Sequence, residues 1–403
     1  MRESSAETLH RLHGVKRPRI AYRDDDFLDY VLMLLVCEAI IWLAYGGGHV
    51  MTLAGGILCA FEIFAFVRRH GVGLRMPLIC RRPQDLVYLF WYRIENLTRW
   101  YFLAIAILMI ENYVIQLTPW LPHQTALMRK VALWLFYGSF LAILAYRTLI
   151  LVRQLARGIH VRKFLLQTTW RSALSRQPYI SLEIVHAYAT GVLAHILLVT
   201  PWYIVLTHLR FSLIFLPVTV ALNFLIQGRF LKVLPIWFYR DHWLCHNCEL
   251  EFVYLHGPHH DAIPSGLIGV SGNGHLEGFL RHALGAPGPF YHPVTTFLVY
   301  GFEIKGDIDG HQFIPGVYPF MSVGFQKINQ HSTHHYGRLA PYSFGLKVGS
   351  GRLQFLPDEV SNSIRLDERL NGFKWDTPRY ERFLALYQKY ERQEDSSDEH
   401  TGG

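Results

Sequence analysis

The chain has 403 residues, 51% hydrophobic and 14% aromatic, and only 17% are charged, against about 25% in an ordinary soluble domain. That deficit argues against a soluble enzyme of two or three domains and points to lipid. A formal charge of +8 suits nucleic acid or anionic headgroups, and the placement of the basic residues decides between them.

A helix needs roughly 20 apolar residues to cross about 30 Å of hydrocarbon. Six windows come near that length: 28–46, 51–67, 100–120, 131–152, 184–206 and 211–233. Only Gly47–Val50 joins the first two, which predicts a tight helical hairpin. The basic segment 1–27 runs too long before the first span for a signal peptide, and no small-residue cleavage pattern follows it. Lys and Arg crowd three stretches: Arg2 to Arg23, Arg68 to Arg99, and Arg153 to Arg176. The alternate connections hold only Arg129, Lys130 and Arg210. By the positive-inside rule the rich side is cytoplasmic, and both termini lie there. Because the charges flank spans, lipid headgroups are the expected partner and nucleic acid is not. The expected protein is a multi-pass integral membrane protein of a bacterial inner membrane.

Two cysteines fall in predicted spans (Cys37, Cys59) and three on the reducing side (Cys80, Cys245, Cys248), so no disulfide framework is expected. Glu38, Glu62 and Glu111 lie inside predicted spans, where ionisable groups are costly. They are expected to face the bundle and pair with polar neighbours. Together with His186 and His195 they also leave open a metal- or proton-coupled transporter.

The most informative stretch is "HWLCHNCELEFVYLHGPHH", with five histidines in residues 242–260. His242 and His246 are four apart, which on a helix sets both rings on one face. His256, His259 and His260 repeat that geometry as HxxHH, and so do His331, His334 and His335 in "QHSTHHYGRLAPYSFG". Lone histidines such as His10, His160 and His208 read as interfacial polar aromatics. Three clusters on one side of a membrane read as metal ligands, since imidazole suits Zn, Cu and Fe. Eight donors exceed what one tetrahedral ion uses, so two ions are implied.

The HxxxH, HxxHH, HxxHH pattern after several spans resembles the fatty acid hydroxylase / sterol desaturase superfamily of integral-membrane di-iron oxygenases. Nine residues separate His246 from His256 and seventy separate His260 from His331, a compact spacing similar to its hydroxylase branch. "HGPHH" resembles the HGxHH box of lipid 2-hydroxylases. "NGHLEGFLR", with His275 and Glu277, resembles the family's HPLE element. "GDIDGHQF", with His311, resembles its NHSG element, Gly310 standing where Asn is usual. The tail "HHYGRLAPYSFG" keeps only Tyr342 in register, with Pro341 and Ser343 in place of Asn and Gly. The resemblance covers roughly residues 185–360. It implies His242, His246, His256, His259, His260, His275, His311, His331, His334 and His335 as ligands of two Fe ions, for which Zn can substitute in a purified protein.

Such a centre is expected to use O₂ and electrons to attack an unactivated C–H bond of a lipid drawn from the cytoplasmic leaflet. Hydroxylation is the first expectation; lipid or carotenoid desaturation and ketolation use the same boxes. Asp241, Glu249, Asp261, Asp307 and Asp309 are candidate acceptors that fix histidine tautomers. Cys245 and Cys248 are expected to pack beside the cluster. The sequence has no HExxH, no dinucleotide fingerprint and no cytochrome-type HPGG, so the electron donor is expected to be a separate cytochrome, ferredoxin or reductase. Apolar segments 294–304 and 311–325, too short or broken to span, are expected to line substrate entry, and 378–393 to form a helix before an acidic end.

The expected fold is therefore an all-α membrane protein of about six transmembrane helices under a cytoplasmic helical cap that carries the di-metal site. Its parts are a basic N-terminal segment (1–27), N-terminal spans and loops (28–183), a hydroxylase-like catalytic unit (184–360) and a polar tail (361–403).

Overall fold

The computed structural model describes residues 21–84, 86, 106–156, 180–222, 225, 245, 246, 248–261 and 274–280. Every regular element among them is a helix. A 3-10 turn at Asp24–Asp26 leads into α1 (Phe27–Tyr45), and α2 (Val50–His70) runs back beside it. The reversal takes only Gly46 to His49. Gly46 holds φ +86, a conformation that glycine adopts without steric cost, and donates its N–H to the Trp42 carbonyl. His49 accepts from the Met51 N–H across its ring nitrogen, and the Thr52 hydroxyl returns to the Gly46 carbonyl at 2.7 Å. The predicted hairpin is present, its turn displaced by one residue from the expected GGHV.

After the short α3 (Leu78–Arg81) come α4 (Ala106–Leu117), α5 (Thr125–Ala156), α6 (Ile180–His208) and α7 (Leu213–Leu222). Three segments are long and apolar enough to cross a membrane: Asp24–Tyr45, Val50–His70 and Val185–His208. They match the first, second and fifth predicted spans. The fourth predicted window lies within α5, while α4 and α7 cover part of the third and sixth; residues 100–105, 223, 224 and 226–233 of those two lie outside the described residues.

The three long helices differ in surroundings. In α1 and α2 a third of the apolar window is buried, and Leu35, Val36, Leu43, Leu53, Ile57 and Phe64 face outward. So wide an apolar face is unstable in water and at home in lipid. In α6 the buried share is 78%, since it packs against α1, α2 and the later α9. Lipid tails are as apolar as leucine, so helix association in a bilayer leans on close packing and interhelical hydrogen bonds. Gly55 supplies the first: a Cβ there would meet Glu38 Oε2 at 2.5 Å and Ile41 Cδ1 at 2.9 Å. Buried Thr190, His186 and Glu62 supply the second.

Beyond α7 the described chain resumes at Cys245. Glu249–Glu251, Phe252–His256 and Gly257–Asp261 run end to end as one helix, α8, whose middle turn is a π-helix. The last element among the described residues, α9 (His275–Leu280), packs against it. Phe252, Val253 and Leu255 of α8 join Tyr22, Tyr30, Met33, Phe66, Leu193 and Leu197 in one core. The histidine-bearing segment is thus docked on the hairpin end that holds Tyr22 and His70.

That docking has one unforgiving point. A Cβ on Gly274 would lie 1.7 Å from the Leu255 carbonyl oxygen. The obstacle is backbone, so α9 itself must move. Gly274→Ala is expected to destabilise the packing of α9 on α8 by about 1–3 kcal/mol, the cost of forced overpacking. The check is a lower unfolding midpoint in detergent together with faster alkylation of the otherwise buried Cys245.

Candidate metal centre

The π turn decides how the second histidine cluster is aimed. A π turn adds a residue to the helical repeat and rotates the later turns of the helix relative to the earlier ones, a distortion frequent at functional sites. Here the Gly257 N–H reaches the Phe252 carbonyl and the turn ends on His256. His256 and His260 then share a face, with Nε2 atoms 3.0 Å apart. His246 stands over both, its ring centroid 4.7 Å from that of His256 and 4.5 Å from that of His260. One nitrogen from each of the three falls within 4.8 Å of the others.

That spacing suits a cation. Two nitrogens bound at about 2.0–2.1 Å in a tetrahedral arrangement lie roughly 3.4 Å apart. His246 and His256 are buried, and His260 is half-buried. Packing alone gives no reason to turn imidazole nitrogens toward one another in a buried space.

The orientation of His256 is set from behind. Its Nδ1 donates to Glu277, at 3.1 Å from Oε2 and 3.3 Å from Oε1, which leaves the Nε2 lone pair facing His260 and His246. Glu277 is itself fixed, its Oε2 accepting the Gly274 N–H at 2.8 Å. A carboxylate behind a histidine in this way raises the ring's basicity and fixes its tautomer. The Cys245 thiol lies on the same side, 3.7 Å from Glu277 Oε1 and 3.9 Å from Glu251 Oε2.

The hairpin holds the site in place. Arg69 Nη1 is 2.7 Å from Asp261 Oδ2 and donates to the Asp261 carbonyl, while His70 Nε2 is 2.7 Å from Oδ1. Burial alone raises a carboxyl pKa, yet Arg69 and His70 outweigh it and hold Asp261 well below the usual carboxylate range. Tyr22 donates to the Val253 carbonyl at 2.8 Å. Tyr254 donates to Asp29, which also accepts the Leu78 N–H. Burial, reinforced by that carboxylate, pushes the Tyr254 phenol up.

A second polar group lies deeper between α2 and α6. Glu62 accepts from Tyr30 and from His186 Nε2, each at 2.8 Å, and from Thr190 at 2.9 Å. Arg69 Nη2 donates to His186 Nδ1. Glu111 accepts the Ser212 N–H at 3.0 Å near the far end of α6. The expectation that the interior acids pair within the bundle therefore describes Glu62 and Glu111. Glu38 differs, since its buried Oε2 has no hydrogen-bond partner among the described residues.

Of the ten expected ligands the structure brings His246, His256 and His260 together. His259 is buried beside them, its ring centroid 5.1 Å from those of His256 and His260. His275 is fully buried but faces the Glu62 group, with Nε2 3.9 Å from Glu62 Oε2, so it is not gathered with the other three. His242, His311, His331, His334 and His335 lie outside the described residues, as do Asp241, Asp307, Asp309, segments 294–304 and 311–325, and the tail. Among the expected acceptors, Asp261 anchors α8 to the hairpin. The carboxylate behind a cluster histidine is Glu277. Its signal was its place two residues after His275 in a short helix, which by itself carries no tautomer information. No protein-family profile, curated protein or solved structure matches the chain.

Proposed function

We propose that the protein is a membrane-embedded di-iron oxygenase that uses O₂ and electrons from a separate donor protein to hydroxylate a C–H bond of a lipid. The observation that carries this reading is the convergence of His246, His256 and His260 within 4.8 Å at one end of an apolar hairpin. The residues fit such a centre: neutral nitrogen donors, mostly buried, with a carboxylate holding the far nitrogen of one ring. In the proposed enzyme the three histidines hold part of the metal pair, and the remaining ligands come from His242, His259, His311, His331, His334 and His335. Bound iron would bind and activate O₂, whose reduction supplies the oxidising power for C–H attack. The chain's own residues exclude water, through buried Phe252, Val253 and Leu255, and orient the His256 ring through its Nδ1 contact with Glu277.

The substrate reading follows from position. The group sits at the end of α2 that carries Arg68, Arg69 and His70, which the basic loops assign to the cytoplasmic side. A chain rising from that leaflet reaches it without leaving apolar surroundings. A cytochrome, ferredoxin or reductase delivers electrons from the same side.

The test is oxygen uptake by iron-loaded protein in proteoliposomes, supplied with a reductant and lipid extract and followed by mass spectrometry of the lipids. Reductant- and lipid-dependent uptake, with one oxygen atom added to a lipid, is the expected result. Loss of two hydrogens instead identifies a desaturase. Metal uptake into the vesicles with no O₂ dependence overturns the oxygenase in favour of a transporter built on Glu62 and His186.

A further inference from the structure

We propose that Cys245, Glu277 and His256 Nδ1 form a metal site of their own, a thiolate–carboxylate–imidazole pocket backing onto the three-histidine group. It takes a borderline-soft divalent ion such as Zn²⁺, Fe²⁺ or Co²⁺. The all-imidazole centre expected from the sequence thereby becomes an asymmetric one, with His256 between its halves.

The distances carry the assignment. In a tetrahedral site with sulfur at about 2.3 Å and oxygen or nitrogen at about 2.0–2.2 Å, the S···O edge is roughly 3.6 Å and the N···O edge roughly 3.4 Å. Cys245 Sγ lies 3.7 Å from Glu277 Oε1 and 3.9 Å from Glu251 Oε2, and His256 Nδ1 lies 3.3 Å from Glu277 Oε1. The Cys245–Glu277 and His256–Glu277 edges match those of a coordination polyhedron, and the three ligand atoms all lie within 4.8 Å of one another. As hydrogen bonds, the two sulfur contacts are long.

Burial points the same way. Cys245 and Glu277 are at most 1% exposed, and a divalent ion takes the buried thiol as thiolate, releasing its proton on binding.

His256 links the halves. Its Nε2 faces His260 and its Nδ1 faces Glu277, so one ring presents a nitrogen to each group. A metal at the thiolate site displaces the Nδ1 proton, and the ring then bridges. This inference rests on reading the histidine group as a metal centre and is independent of the oxygenase chemistry.

The experiment is an anaerobic Co²⁺ titration of the full-length protein in detergent, followed by absorption. Sulfur bound to Co²⁺ gives an intense near-ultraviolet charge-transfer band that imidazole and carboxylate do not. The wild type is expected to take up about two ions per chain and to show the band. Cys245→Ser, nearly isosteric, is expected to lose the band and about one ion, while Cys248→Ser and His260→Ala keep the band. Glu277→Gln keeps the thiol, so a weakening of the band-forming step by about tenfold or more supports the site even if Cys245→Ser folds poorly. Cobalt uptake by the wild type without the band, or a band that follows Cys248 instead, overturns the proposal and leaves the histidine centre standing. No cobalt uptake at all overturns both.

Discussion

In the proposed oxygenase, replacing His256 and His260 together by alanine is expected to remove most of the bound iron and lower activity at least a hundredfold, while the chain still inserts into the membrane. Their Nε2 atoms are 3.0 Å apart and belong to the same face of α8. Even residues that merely stand behind a metal ligand are worth about 10–100-fold in affinity or activity, so loss of two donors exceeds that range. Insertion depends on the apolar segments, which the substitution leaves alone. The two positions are not equivalent. His256 also bonds Glu277, and its removal leaves that buried carboxylate short of a donor, a cost of about 1–3 kcal/mol. His260→Ala alone avoids that cost and is the cleaner probe of metal binding. Iron per chain, measured beside a helical circular-dichroism spectrum, separates lost ligands from lost fold. A double variant that keeps its full iron complement refutes the assignment of these ligands.

Arg69→Met is expected to be the most damaging single change outside the histidines. Arg69 and Asp261 are 1% and 4% exposed and 2.7 Å apart. Removing one member of a buried pair leaves the other charged without compensation, at about 3–5 kcal/mol. His70 remains against Oδ1 and absorbs part of that loss. The second half of the prediction distinguishes charge from packing: adding Asp261→Leu to Arg69→Met should recover much of the stability. Asp261 directly follows His260, so the single variant should also release metal at temperatures where the spans remain folded. Unfolding midpoints in detergent, read with metal content, test both halves. If the double variant is no more stable than the single, the buried-charge account fails.

The hairpin was legible because its signals are local: two apolar runs, a glycine turn, and arginines at the returning end. The histidine cluster was legible for the same reason, since His256 and His260 are four apart and helical geometry does the rest. What pairs them with the remainder of the protein was not. Arg69 and Asp261 are 192 positions apart, Tyr22 and Val253 are 231 apart, and no spacing rule connects such residues. Glu277 was legible only as part of the HPLE-like element; its pairing with His256 was not, because a carboxylate becomes an imidazole's partner through the placement of a whole helix, here α9 against α8. The sequence also treated window 184–206 as one span among equals. It could not show that this helix is the buried one, because a uniformly apolar segment looks alike whether lipid or protein surrounds it.

That last difference bears on how the molecule is made. α6 carries His186, Thr190, His195 and Thr200 on surfaces that the finished protein covers completely. When α6 leaves the ribosome, its partners on α1 and α2 have already been synthesised, while α9 has not. A bilayer offers His186 and Thr190 nothing to bond, so the early hairpin must be waiting as a template with Glu62 presented towards the newcomer. The order of synthesis and the order of burial agree: the outer pair enters lipid first and the inner helix docks against it. The histidine segment then closes over the top, after the groups that anchor it are in place. An α6 produced without the hairpin has to find another partner for those side chains or stay at the insertion machinery.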